Sequence, residues 1–135
     1  MISKLAQVML YVEDQAAAVT FWTEVMGFEI ISKNKNDLSS EEEMKWIEIA
    51  PESDSATTLV LFDKKAIAEQ SPELNLSTPS LMFFTEDLKS LHNKLKQEPD
   101  IFVGEIVEYA DYNERLFNFS DREENYFAVL EKMKN

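Results

Sequence analysis

The chain has 135 residues, 44% of them hydrophobic, and its 26 acidic and 13 basic side chains leave a formal net charge of −13. This length predicts a single domain, and the negative charge repels nucleic-acid phosphates and anionic membrane surfaces, so we expect neither as a partner. The absence of cysteine excludes disulfides, thiolate metal sites and cysteine nucleophiles, and the single histidine excludes any site that needs two imidazoles.

The first predicted elements are a strand and a helix. Residues 8–14 read VMLYVED and alternate as a half-buried strand does. Asp14 suits a helix N-cap, and Gly27 stands where a left-handed C-cap belongs. Between these two residues, apolar side chains recur at helical spacing, at Ala18, Phe21, Trp22, Val25 and Met26.

The remaining elements follow the same order in each half of the chain. Residues 81–87 read LMFFTED, and Asp87 is expected to cap a helix that carries Leu88, Leu91 and Leu95 on one face. Three strands are predicted after each helix. They lie at Phe28–Ser32, Lys45–Ala50 and Thr57–Phe62 in the first half, and at Phe102–Tyr109, Arg115–Phe119 and Tyr126–Glu131 in the second.

The two halves are an internal repeat. Residues 8–14 and 81–87 match at an offset of 73, and the elements after them correspond. We therefore predict an α+β fold in which two tandem βαβββ modules form a curved, cup-like mixed sheet with helices on its outer face. Residues 1–135 would form one domain, with module one at about 1–63, a linker at about 64–79 and module two at about 80–135.

One face of each predicted strand has the composition of a ligand pocket. Alternate residues of the strands are uniformly aliphatic or aromatic and suit a helix-covered core, whereas the other set mixes Met, aromatic, small and polar side chains. The alternative is that the mixed set fills the interior or forms a dimer contact. The predicted ligand-binding residues are Gln7, Met9, Tyr11, Trp46, Glu48, Val60, Phe62, Ser80, Met82, Phe84 and Tyr126.

Two segments resemble the vicinal oxygen chelate superfamily, which includes glyoxalase I, bleomycin resistance proteins, fosfomycin resistance enzymes and extradiol dioxygenases. Residues 21–28 read FWTEVMGF, close to the family pattern F-Y-x-x-x-L-G-F. Residues 119–125 read FSDREEN and resemble the family turn F-x-D-P-D-G-N, with Asp121 and Asn125 kept. The turn lacks the family's Pro and Gly, so we expect its backbone geometry to differ.

The resemblance also implies where a metal would bind. Metal-dependent members take His or Glu ligands from the first and last strands of each module. The matching positions here are Gln7, Val60, Ser80 and Ala128, and shifting each strand by one residue supplies no His, Asp or Glu. Divalent ions of this kind need imidazole or carboxylate ligands. We therefore predict no metal and no other cofactor.

No catalytic residue is predicted. His92 is expected to be a surface or half-buried residue of the second helix, and no nucleophile–base pair can be assembled. Glu48 is expected to share the cup with Trp46, where a carboxylate beside an indole would attract a cation. The alternative is a solvated Glu48 at the sheet edge. The acidic run Glu41–Glu43 is expected to be a solvated loop or a fraying helix or, alternatively, part of a funnel for cations.

The favoured function is metal-free binding of a cationic or aromatic small molecule. This picture resembles members of the family that sequester bleomycin and confer antibiotic resistance. The alternatives are a glyoxalase- or dioxygenase-like enzyme with an unrecognised metal site or with Glu48 as a general base, and a structural dimer without a ligand. We expect a homodimer, because the sheet edges need cover. A cytoplasmic location is expected, because no secretory signal or apolar run of about 20 residues is found.

Overall fold

The computed structural model describes residues 1–33 and 46–133. The chain divides after Thr78 into two compact units, and each unit contains one four-stranded mixed sheet. The predicted acidic run Glu41–Glu43 and the predicted strand start at Lys45 lie outside the described residues. None of the helices in the described ranges is long and apolar enough to cross a membrane.

The first unit contains four strands in the order β1-β4-β3-β2, with β1 parallel to β4 and the other pairs antiparallel. Helix α1 continues directly into one π-helical turn, Phe21–Val25. The elements are β1 (Gln7–Val12), α1 (Gln15–Thr20), β2 (Glu29–Lys33), β3 (Trp46–Ala50), β4 (Thr58–Asp63) and α2 (Lys64–Gln70).

The ends of the first helical segment are formed as predicted. The Asp14 carboxylate accepts a hydrogen bond from the Ala17 amide at 3.0 Å, and Gly27 adopts a φ of +78°. The apolar stripe between them is buried except for Met26, which is half-buried, and the Trp22 side chain is fully enclosed. These residues pack on one face of the sheet, where Leu10, Ile49 and Leu61 are also buried.

The second unit repeats this arrangement. Its strand order is β5-β8-β7-β6, with β5 parallel to β8. The Asp87 carboxylate caps the helix by accepting from the Ser90 amide at 3.2 Å. The elements are β5 (Leu81–Phe84), α3 (Leu88–Lys96), β6 (Val107–Tyr109), β7 (Glu114–Ser120) and β8 (Tyr126–Lys132). The α+β class and the tandem βαβββ order are therefore confirmed.

The predicted strand Phe102–Tyr109 is wrong over its first part. Only Val107–Tyr109 forms a ladder, in which Val107 lies opposite Leu116. Val103 makes an isolated bridge to Phe119. Val103 and Val107 are four positions apart, whereas their partners Phe119 and Leu116 are only three positions apart. One extra residue breaks the register, as in a β-bulge, and the ladder stops.

Helix α2 lies in the segment predicted as a linker. The prolines and polar residues of this segment indicated a loop, but Lys64–Gln70 consists of residues that favour helix. The Asp63 carboxylate accepts from the Lys65 amide at 3.0 Å and caps the helix. This cap and composition were the signals that the sequence interpretation missed.

The single histidine is more buried than predicted. His92 is 7% exposed, and its Nε2 lies 2.8 Å from the Gly104 carbonyl oxygen. Its ring meets the Phe117 ring edge-on, with 4.8 Å between centroids. The expectation of a surface or half-buried residue is wrong, because the chain after α3 folds back and supplies a backbone acceptor. His92 is a core residue of the second unit.

The late turn, residues 119–125, was expected to change its backbone geometry because it lacks the family's glycine. Glu124, at the position of the family glycine, adopts a φ of +62°, the left-handed conformation that glycine favours. Asp121 stabilises this turn, because its Oδ1 accepts from the amides of Glu123 and Asn125, both at 2.9 Å. The expected change of geometry through loss of the glycine is therefore not seen at this residue.

Replacing Glu124 with glycine should raise the free energy of unfolding by about 0.5–1 kcal/mol, because the left-handed strain of a non-glycine residue exceeds the entropy that glycine loses. Urea denaturation would measure this change. The matched control is Glu123→Gly, which removes the same charge at a residue outside the left-handed region and should lower stability instead. Equal effects of the two substitutions would contradict this interpretation.

Candidate functional site

One face of the first sheet carries seven of the predicted ligand-binding residues, and we call it the Glu48 face. Strand pairing places Met9, Val60 and Glu48 in one row across β1, β4 and β3. A second row, two residues further along, contains Tyr11, Phe62 and Trp46. Because alternate residues share a face, both rows lie opposite the buried aliphatic side. The seven are Gln7, Met9, Tyr11, Trp46, Glu48, Val60 and Phe62.

Glu48 is held at the centre of this face by three donors. Its Oε2 accepts from the Thr58 hydroxyl at 2.6 Å and from the Gln7 amide nitrogen at 3.2 Å. Its Oε1 accepts from the Ser32 hydroxyl at 2.9 Å. The donors come from three strands, so the carboxylate is fixed in position by the sheet itself.

These hydrogen bonds favour the ionised form of Glu48. The Thr58 hydroxyl contributes most to holding the pKa of the Glu48 carboxyl below its ordinary value, followed by Ser32, while partial burial opposes them and Gln7 adds a smaller lowering. A carboxylate with a lowered pKa has less affinity for a proton. The geometry therefore favours a fixed negative charge over a general base.

Aromatic rings lie beside this charge. The rings of Tyr11 and Phe62 are stacked, with 6.1 Å between centroids and 25° between planes. Trp46 lies opposite Phe62 in the neighbouring strand pair and is 39% exposed, and Met9 is 38% exposed. The Glu48 face thus offers an anchored charge and accessible apolar side chains together, as ligand sites commonly do.

The other predicted residues belong to the second unit. Met82 and Phe84 share one face of β5 and are 53% and 80% exposed. Tyr126, at the start of β8, is 56% exposed, and its ring lies 5.9 Å from that of Phe102. Ser80 precedes β5 and is also exposed. The structure therefore places these four at or near the exposed side of β5 and β8.

A pocket of about 800 Å³ lies at the end of the second sheet. Of the predicted residues it includes only Phe84. An ion pair that the sequence interpretation missed also lines it, with 2.6 Å between Arg115 Nη2 and Glu131 Oε2. The other lining residues are Thr85, Glu86, Leu130, Lys132 and Met133.

Two partners of Glu48 were missed as site residues. Thr58 alternates with Val60 and could have been included on that ground, but Ser32 could not, because β2 carries a register irregularity between Ile30 and Ser32. Alternation counted along the sequence cannot predict which face a residue takes after such a shift. Among residues 1–33 and 46–133, no group of three His, Asp or Glu side chains is close enough to hold a metal ion.

Comparison with known proteins shows relatives along almost the whole chain. The uncharacterized protein YetH of Bacillus subtilis (strain 168) is 32% identical over 133 residues, which are 97% of this chain and 100% of YetH. The crystal structure of TnmS3, an antibiotic binding protein from Streptomyces sp. CB03234, matches with a TM-score of 0.75 and 22% identity over 97% of each chain.

A second solved structure, a glyoxalase/bleomycin resistance protein from Streptomyces sp. CB03234, matches with a TM-score of 0.69 and 22% identity. It covers 93% of this chain and 98% of the Streptomyces chain. At these identities the two structures establish the fold. Residues 4–129 match a family described as the Glyoxalase/Bleomycin resistance protein/Dioxygenase superfamily. The chain therefore belongs to the Glyoxalase/Bleomycin resistance protein/Dioxygenase superfamily.

Proposed function

We propose that this chain is a metal-free small-molecule binding protein of the bleomycin-resistance type, with a ligand that is cationic or aromatic. One observation carries the proposal: an ionised Glu48, anchored by three side-chain donors, lies in the same sheet face as exposed Trp46 and Met9. A fixed charge beside apolar surface can bind a cation and its apolar body together.

The relatives support a binding role. TnmS3 is an antibiotic binding protein and shares the fold. Because one fold hosts many functions, this likeness supports the proposal only together with the Glu48 face. For a glyoxalase- or dioxygenase-like reaction with Glu48 as base, the lowered pKa of this carboxyl is unfavourable.

We further propose that the protein acts as a cytoplasmic homodimer. Strands β1 and β2 form the two edges of the first sheet, and β5 and β6 those of the second. Strand edges present unpaired backbone groups that favour pairing with another chain. Light scattering coupled to size-exclusion chromatography should give twice the mass of 15.6 kDa. A monomer at working concentration would contradict the dimer and leave the binding proposal intact.

Binding can be tested by tryptophan fluorescence and thermal shift. The chain has two tryptophans, and only Trp46 is exposed on the Glu48 face, whereas Trp22 is fully buried. Titration with aromatic amines and cationic glycopeptides should change the Trp46 emission and raise the melting temperature. The variant Trp46→Phe should lose the fluorescence change but keep the thermal shift. If no compound stabilises the protein, the proposed function is wrong.

A further inference from the structure

The hydrogen bonds to Glu48 leave one acceptor position vacant. A carboxylate offers about four lone-pair positions, two on each oxygen. Thr58 and Gln7 occupy both positions on Oε2, and Ser32 occupies one on Oε1. A ligand can therefore donate one hydrogen bond, to Oε1, without displacing a side chain of the described residues.

The charge of Glu48 is not neutralised by the described residues. Its three partners are neutral side chains, and no ion pair with a Lys or Arg of these residues is recorded. Lys33 follows Ser32 but lies opposite Ile47, on the other face of the sheet. A cation that approaches the Glu48 face would therefore meet a net negative charge.

The aromatic row lies beside this charge on the same face of the sheet. Trp46 and Glu48 are two residues apart on β3, which separates their Cα atoms by about 6.7 Å. Phe62 and Tyr11 continue the row across β4 and β1. A ligand that binds Oε1 and also places an apolar ring on this row therefore needs a spacer between its charge and its ring.

We propose that the ligand is a primary or secondary ammonium compound with an aromatic group a few carbon atoms from the nitrogen, and that it donates one N–H to Glu48 Oε1. This inference rests on the proposed binding function and adds the chemical class of the ligand. A guanidinium could not form its paired hydrogen bonds, because Oε2 is filled and Oε1 has one open position, so it would be left with a single bond. A quaternary ammonium has no N–H to donate.

Four probes with the same body separate these classes: 3-phenylpropylammonium, 3-phenylpropylguanidinium, trimethyl-(3-phenylpropyl)ammonium and 3-phenylpropanol. Dissociation constants would be measured by Trp46 fluorescence and by isothermal titration calorimetry. The primary ammonium should bind up to about fivefold more tightly than each of the others, which corresponds to the upper end of about 0.2–1 kcal/mol for a partly exposed charge pair.

Two variants test the role of the acceptor. Glu48→Gln should remove the preference for ammonium over alcohol, whereas Glu52→Gln, an exposed residue outside the Glu48 face, removes the same charge and should preserve it. Gln7→Met vacates one position on Oε2 and should raise guanidinium affinity relative to ammonium by a few-fold. Circular dichroism would confirm that each variant is folded.

Equal binding of the ammonium and the alcohol would overturn this inference and leave the proposed function standing, because aromatic binding would remain. Stronger binding of the guanidinium to the unmodified protein would also overturn it, since Oε2 would then be open. If none of the four probes binds, this inference fails, and the proposed function fails as well if the wider screen of amines and glycopeptides is also negative.

Discussion

Replacing Trp22 with alanine should lower the free energy of unfolding by about 3–5 kcal/mol, the range for deletion of a large buried aromatic side chain. Trp22 is 0% exposed and packs against two other rings, with centroids 5.4 Å from Phe21 and 5.1 Å from Phe28. The C-terminal cap of this helical segment holds the cluster together, because the Phe28 amide, just after Gly27, donates to the Trp22 carbonyl at 2.8 Å. Chemical denaturation would measure the loss.

The second tryptophan provides the control. Trp46→Ala deletes the same side chain from a residue that is 39% exposed, so we expect a loss of less than about 1 kcal/mol. Its main effect should be on ligand binding, whereas Trp22→Ala should weaken binding only through unfolding. Equal destabilisation by both substitutions would contradict the placement of Trp22 in the core and Trp46 on the Glu48 face.

Replacing Arg115 with methionine should destabilise the protein by about 2–3 kcal/mol, somewhat less than for a fully buried pair, because Glu131 would keep its charge in a nearly enclosed site. The two side chains are 18% and 9% exposed, and Arg115 Nε and Nη2 each lie 2.6 Å from Glu131 Oε2. Glu131 Oε1 accepts from the Leu88 amide at 2.9 Å, so this charge also caps α3.

The matched control is Arg122→Met, which breaks the more exposed pair with Glu98, where Nη2 and Oε2 are 3.2 Å apart. We expect Arg122→Met to lower the free energy of unfolding by less than about 1 kcal/mol, because water screens exposed ion pairs. Urea titrations of both variants would measure the difference. Similar losses would show that the Arg115–Glu131 pair contributes no more than a surface pair.

The destabilisation caused by Arg115→Met should also depend on pH. The Leu88 amide, and then Arg115, hold the pKa of the Glu131 carboxyl below its ordinary value, against the opposing effect of burial. A lowered pKa stabilises the folded state above the unfolded pKa, and this contribution is lost as pH falls through the folded pKa. The difference in the free energy of unfolding between the wild type and Arg115→Met should therefore decrease below about pH 4.3. A constant difference would contradict this assignment.

The repeat could be predicted from the sequence because the signals within each copy are local. The matched segments 8–14 and 81–87, with the caps Asp14 and Asp87, predicted a strand and a helix twice over, and both are confirmed. Each of these signals depends on residues within one turn or one strand. The break before Val107 and the helix α2 were not predicted. The first depends on an extra residue against β7, and the second on a cap followed by a short run of helix-favouring residues.

The candidate site divides in the same way. Strand alternation placed Glu48, Trp46 and Met9 on one face correctly, because side-chain direction is a local property of a strand. It could not show that Ser32 and Gln7 would donate to the same carboxylate, since those residues are 16 and 41 positions away from it along the chain.

The amino-acid sequence by itself determined the α+β class, the repeated βαβββ order and which residues face away from the helices, because these follow from periodicity and capping within short segments. Only the tertiary structure decided the partners: Glu48 with its three donors, Arg115 with Glu131, and His92 with the Gly104 carbonyl. Such pairs depend on the register and irregularities of neighbouring strands, and a shift of one residue sends every side chain to the opposite face.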